Sequence, residues 1–237
     1  MTEQIRKKGR IVRQATETRK TKLPLIGSIK VGMKKDDGLP VSLDYFKATG
    51  DYASFFHEEY GEKPTKIQII FVSDDEVESC MEEWDGRDKD GRRAGYGDGQ
   101  EFCIWDGDLE DYVAHEDQAR IKDLTKEKGI KWSVVLTLNF VIPKIRGVFG
   151  LWRFQTRGNN SSIVGIRNTF DEIKDKVGIV AHIPFDLVVK KVVSQKPGSK
   201  FRFPVVSLVP NLSAENLDIV RGYIESGIDL KRVGVIT

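Results

Sequence analysis

KWSVVLTLNFVIPKIRGVFGLWRFQTRG (131–158) is the stretch whose reading decides the fold. In its first half Trp132, Val134, Leu136, Leu138, Phe140 and Ile142 fall on one side of an extended chain, with Ser133, Thr137 and Asn139 on the other. That two-residue period marks a strand with one buried face. Pro143 removes a ladder donor and ends it. KIRG (144–147) supplies a turn, and VFGLWRFQTRG (148–158) returns as the partner strand. An apolar sheet face needs a second layer, and the next segment offers one. Ser161 or Ser162 caps a helix with apolar positions at Ile163, Ile166, Phe170, Ile173 and Val177, and Gly178 stops it.

Towards the C-terminus, strands are expected at 179–183, 185–194 and 200–209, the last two joined by the turn sequence QKPGS. Ser213 then caps a helix through Leu217, Val220 and Ile224, ending at Gly227. Towards the N-terminus, EFCIWD (101–106) and KIQIIFV (66–72) read as strands. Ser73 and Glu76 form a capping box, so a helix is expected to about Trp84, with Val77, Cys80, Met81 and Trp84 as its apolar face. The glycine-rich DGRDKDGRRAGYGDG (85–99) reads as a mobile loop or turn cluster. Pro24, Gly27, Gly32, Gly38, Pro40, Gly50 and Pro64 make 24–66 loop-rich, with one short amphipathic stretch from Tyr52 to Tyr60.

The fold class is therefore α+β with a mainly antiparallel sheet and flanking helices. The order from residue 101, three strands, a helix, two strands and a helix, is also that of an oligonucleotide-binding (OB-like) barrel. Residues 1–23 lack hydrophobic periodicity and read as an extended arm; 24–237 reads as a single α+β domain, loop-rich over 24–100 and strand-rich over 101–237.

With 39% hydrophobic residues the chain can bury a substantial core, and 31% charged residues solvate its surface. No run approaches the ~18 apolar residues of a membrane helix. The N-terminal MTEQIRKKGR has no apolar stretch of the kind a secretory signal needs, so no membrane partner and a cytoplasmic address are expected. Net charge is +2 but uneven: Arg6, Lys7, Lys8, Arg10, Arg13, Arg19, Lys20 and Lys22 stand in the arm against Glu3 and Glu17, leaving an acidic body. Phosphate binding is one reading of that arm; a solvated tail is the other.

Catalytic and metal chemistry finds little footing. Cys80, Cys103 and His115 are too far apart for a short-spaced zinc motif, and both cysteines read as free thiols. Asp85, Asp88 and Asp90 suggest a calcium loop, but Asp85-Gly86-Arg87 departs from the required pattern, and Arg87, Lys89, Arg92 and Arg93 would repel a cation. No phosphate-binding P-loop and no nucleophile motif occurs, and His57, His115 and His182 stand in no recognisable triad. The many carboxylates between 74 and 123 read as an acidic solvated face. No enzyme, metal or cofactor is expected.

LWRFQTRGNNSSI (151–163) carries the candidate site. Trp152 and Phe154 alternate with Arg153, so an aromatic could stack a base while Arg153 and Arg157 bind phosphate. The alternative is a core strand with both aromatics buried. The following helix start would favour an anion.

GSIKVGMKKDDGLPVSLDYFKATGD (27–51), YGEKPTKIQIIFVSDD (60–75), GYGDGQEFC (95–103), GVFGLWRFQTRGNNSSIVGIRNTFDEI (147–173) and VAHIPFDLVVKKV (180–192) occur in that order. Together they resemble the recombination directionality factor-like proteins of temperate phages and integrative elements. The resemblance implies a DNA recombination accessory protein in a bacterial host cell, bound to a serine integrase, and through it or directly to DNA, favouring excision by contact rather than catalysis. It supplies no active-site residues. Relatives carry more cysteines in the middle region than the Cys80 and Cys103 found here. Two other readings stand beside it: a single-stranded DNA-binding protein of a phage replication or recombination module, and a metal-dependent hydrolase or nuclease.

Overall fold

A computed structural model of the chain describes residues 23–34, 39–194 and 197–226. The eight basic arm positions, Arg6, Lys7, Lys8, Arg10, Arg13, Arg19, Lys20 and Lys22, lie outside the described residues.

The elements run β1 (Leu25–Lys34), β2 (Pro40–Thr49), α1 (Ala53–Tyr60), β3 (Lys66–Ile70), α2 (Glu76–Ser79), β4 (Cys80–Arg87), β5 (Arg93–Gly97), β6 (Phe102–Asp106) and β7 (Asp111–His115). Then come α3 (Gln118–Glu127), β8 (Lys131–Phe140), β9 (Leu151–Thr156), a π-helical turn (Asn159–Ile163), α4 (Val164–Val177), β10 (Pro184–Val193), β11 (Arg202–Pro210) and α5 (Ala214–Glu225). Eight strands form one sheet in the order β2-β1-β9-β8-β4-β5-β6-β7, and three form a second, β11-β10-β3. All neighbouring pairs are antiparallel except β1 with β9.

The fold is α+β and mainly antiparallel, as expected, but the OB-like barrel is not formed. The large sheet is open, with β2 and β7 as its two edges. The reason lies in the region expected to be loop-rich. β1 and β2 extend the sheet beyond β9, while β4 to β7 extend it beyond β8, so the β8–β9 hairpin becomes the centre of a wide sheet.

That hairpin has the expected pairing, with Leu138 opposite Phe154 and Phe140 opposite Trp152. Its apolar face, with Ile29 and Phe46 from β1 and β2, meets Ile67 and Ile69 of β3, Phe185 and Leu187 of β10 and the α4 stripe Ile166, Phe170, Ile173 and Val177. Aromatic edges meet in this core: within the large sheet Phe46 meets Phe154 at 84°, and Phe71, just past β3, meets Phe170 of α4 at 80°. Each such ring, removed from water, contributes about 1.5–3 kcal/mol before entropy is counted. A smaller core, Phe102, Ile104, Ile121, Leu124 and Ile130, lies where α3 covers the β5–β7 end, with Trp132 packed against it.

Three local expectations change. The helix from Ser73 to Trp84 is only the four-residue α2, because Asp75 rather than Ser73 caps it and the chain enters β4 at Cys80. Residues 85–99 are largely the β4–β5 hairpin: Gly86 and Gly95 stand opposite one another, and a Cβ on either would come within 2.7 Å of the Trp132 ring. The glycines make room for a tryptophan rather than for motion. Residues 179–183 form no strand beyond the single bridge from Phe71 to Ala181. No helix among the described residues is long and apolar enough to cross a membrane.

Candidate nucleic-acid interface

Alternation that buries Leu136, Leu138, Phe154 and Ile104 turns their neighbours to the opposite, polar face of the large sheet. Arg153 and Gln155 of β9, Ser133, Thr137 and Asn139 of β8, and Glu83, Asp85 and Arg87 of β4 share that face by register. Tyr96 follows on β5, paired with Asp85 and with Cys103 of β6, and Trp105 of β6 pairs with Tyr112 of β7.

The centre of the face is Asp85. Its side chain is 4% exposed, yet the carboxylate receives Arg87 Nε and Arg157 Nη2, each 2.8 Å from Oδ2, with Arg93 Nε 3.8 Å from Oδ1. Arg93 Nη2 also donates to Glu83 Oε2 at 2.8 Å, and Arg157 Nε to Ser133 Oγ at 3.3 Å. Burial pushes the Asp85 carboxyl up, but the hydrogen bonds and charges of Arg87 and Arg157 outweigh it and hold the group below the usual carboxylate range. Three guanidiniums thus stand around two carboxylates. Each guanidinium carries five N–H donors in a rigid fork, more than these contacts use.

Arg153 sits one strand pair away, its Nε donating to Asn139 Oδ1 at 3.1 Å, while Gln155 donates to Thr137 Oγ1 at 3.0 Å. A cavity of about 460 Å³ opens beside them, its lining including Ser28, Lys30, Arg153, Gln155, Arg157 and Ser161. At the other end, the Arg93 guanidinium lies 4.8 Å from the Tyr96 ring centre. Tyr96 and Tyr112 are 5.2 Å apart, as are Tyr112 and Trp105.

Of the described site residues, Arg153 and Arg157 come together on the polar face. Trp152 does not join them. It is 1% exposed, packed on Phe56 and beneath Gly27, so the base-stacking role offered for it is corrected to core packing. At the helix start after Arg157, two of the backbone amides are already engaged. The π-helical turn directs the Ser161 and Ile163 amides to the Gly158 carbonyl, and the buried Ser162 hydroxyl accepts from the Val206 amide. Sequence reasoning missed Tyr96, Trp105 and Tyr112. For Trp105 the signal was the alternation in FCIWD, where Phe102 and Ile104 go in and Cys103 and Trp105 go out.

Two acidic groups away from this face tie elements together. Asp74 Oδ1 accepts the Val180 and Ala181 amides at 2.7 and 2.8 Å. Glu76 pairs with Lys174 at 2.7 Å and with Arg167, and these hydrogen bonds hold its carboxyl below the usual range. Among the described residues, no three His, Cys, Asp or Glu side chains converge as a metal site requires.

The chain is thus an α+β protein with a wide open sheet, arginine-lined on its polar face. The sequence profile of the Gp3-like family, described as recombination directionality factor-like, matches residues 26–211, from within β1 to just past β11. The chain belongs to that family, and the membership points to an accessory role in phage DNA recombination. Neither the curated proteins nor the solved structures include a match.

Proposed function

We propose that this protein is a non-enzymatic accessory factor that binds a serine integrase, contacts the recombining DNA, and favours excision over integration. The family match over residues 26–211 carries the reading. The polar face supports the DNA contact: Arg153 and Arg157 lie on one side of β9 and the strand end that follows it, with Arg87 and Arg93 two and three strands away. Guanidiniums in such an array suit phosphate oxygens. The basic arm adds a second, salt-sensitive attraction to the same polyanion.

The test is recombination in a purified system with a serine integrase from the same element. Adding the protein is expected to switch on attL × attR recombination and depress attP × attB, with co-purification of the two proteins. No effect on either reaction, and no association with the integrase, would refute the proposal.

A further inference from the structure

We infer that the polar face of β4–β7, with the arginines beside it, is a binding track for single-stranded DNA, with Trp105 and Tyr112 as its stacking platform. The inference rests on the DNA contact proposed above and specifies its form. Two observations meet here.

The first is the aromatic row. Tyr112 of β7 lies 5.2 Å, between ring centres, from Trp105 of the neighbouring β6 and 5.2 Å from Tyr96 of β5, reached across β6, and Trp105 is 40% exposed. They stand on the polar side of the sheet, whereas Phe102 and Ile104 between them enter the small core. Trp105 is no part of that core. At the adjoining turn, Asp106 Oδ1 accepts the amides of Asp108 and Leu109, and Asp111 Oδ1 accepts the amide of Tyr112.

The second is the charge that leads up to the row. Arg93 lies over Tyr96, and Arg87 and Arg157 stand with it around Asp85. Their side chains are 39%, 41% and 55% exposed. Together with Glu83 the cluster keeps one net positive charge, and Arg153, bonded to the neutral Asn139, adds another. From β9 to β7 the sheet order crosses five strand-to-strand steps. At about 4.8 Å each the track is roughly 24 Å long, within the range of a site for a few nucleotides.

A single strand fits this chemistry better than a duplex does. Every unpaired base offers a flat π-face to Trp105 or Tyr112, whereas a duplex keeps those faces stacked on one another. An acidic polypeptide would meet the arginines but leave the aromatic row unused.

The experiment is fluorescence anisotropy of a labelled oligo(dT) with the full chain at low salt, with duplex DNA and poly-glutamate as competitors. Saturable binding that weakens with salt is expected, with both competitors inferior to unlabelled oligo(dT). Trp105→Ala and Tyr112→Ala should each weaken it about 5- to 150-fold at an unchanged melting temperature, and Trp105→Phe should restore most of it. Phe149→Ala, which removes an exposed ring from an apolar cavity outside this face, should leave binding unchanged. If Tyr112→Ala fails to fold, because its hydroxyl donates to the Arg93 carbonyl, Trp105→Ala and Trp105→Phe decide alone. Absence of oligo(dT) binding, wild-type affinity in Trp105→Ala, or stronger competition by duplex or poly-glutamate overturns the inference. The assay contains no integrase. Lost oligo(dT) binding with intact excision control therefore strikes the inference alone, and the converse strikes the proposed function alone.

Discussion

Arg157, just beyond β9, reaches across β8 to Asp85 on β4, placing Nη2 2.8 Å from Oδ2 between residues 72 positions apart in the chain. The carboxylate is buried and the guanidinium is half in water, so the two ends of this pair carry unequal consequences. Removing Asp85 leaves three arginines crowded without their shared acceptor, whereas removing Arg157 leaves Asp85 still held by Arg87. Asp85→Ala is expected to cost about 1–3 kcal/mol, and Arg157→Ala under about 1 kcal/mol, in urea unfolding. Equal costs would show that Asp85 does not organise the face.

The same pair gives a pH dependence. The folded Asp85 carboxyl lies below its ordinary value, so its ionised form favours the folded state. That contribution is complete above the unfolded pKa, about 3.9, and is lost as pH falls through the folded value. Asp85→Asn should therefore narrow its stability gap to wild type as the medium is acidified below about pH 4. A gap that stays constant or widens would contradict the ion pairing. Glu76, held down by Lys174 and Arg167, adds to the acid sensitivity in the same direction in both proteins.

Trp152 is a core residue, 1% exposed. A Cβ on Gly27 would fall 2.4 Å from its Cζ3, and the Phe56 ring centre lies 6.1 Å from that of Trp152. Trp152→Ala should cost about 3–5 kcal/mol and Gly27→Ala about 1–3 kcal/mol, both read by chemical denaturation. Each should leave oligonucleotide affinity per folded molecule unchanged. A stable Trp152→Ala protein with weakened DNA binding would restore the stacking role for this ring.

The thiols should separate cleanly. Cys80 is fully buried, and burial pushes its pKa up to about 12, while Cys103 is half-exposed on the polar face. A thiol reagent applied to the native protein at neutral pH should titrate Cys103 alone, with Cys80 reacting only after denaturant is added. Two equally fast thiols would place Cys80 outside the core described here.

What the sequence disclosed follows from how its side chains alternate. β8 and β9 were legible because Leu136, Leu138 and Phe154 are large, regularly spaced and flanked by polar residues. α4 was legible because its stripe of isoleucine and phenylalanine recurs at helical steps up to Gly178. β4 and β5 were not, because the residues facing the core there include Gly86, Gly95 and Gly97, whose burial is supplied by Trp132 and Phe102 from other strands. A glycine beneath a distant ring has the same local signature as a glycine in a turn. The site was half legible for the same reason. Arg153 and Arg157 stood beside an obvious strand, whereas Tyr96 and Tyr112 sat among glycines and acids. Their common face arises only through the pairing of β4 to β7.

The most direct measurement of the central claim is the rate of attL × attR recombination by a purified serine integrase from the same element. It is compared without the protein, with the wild type, and with Arg153→Ala/Arg157→Ala. The wild type is expected to raise the rate from near zero, and the double variant, folded and still associated with the integrase, to raise it far less. Integrase that recombines these sites equally well with and without the wild-type protein would contradict the recombination role. A double variant as active as wild type would contradict the role of the arginine face.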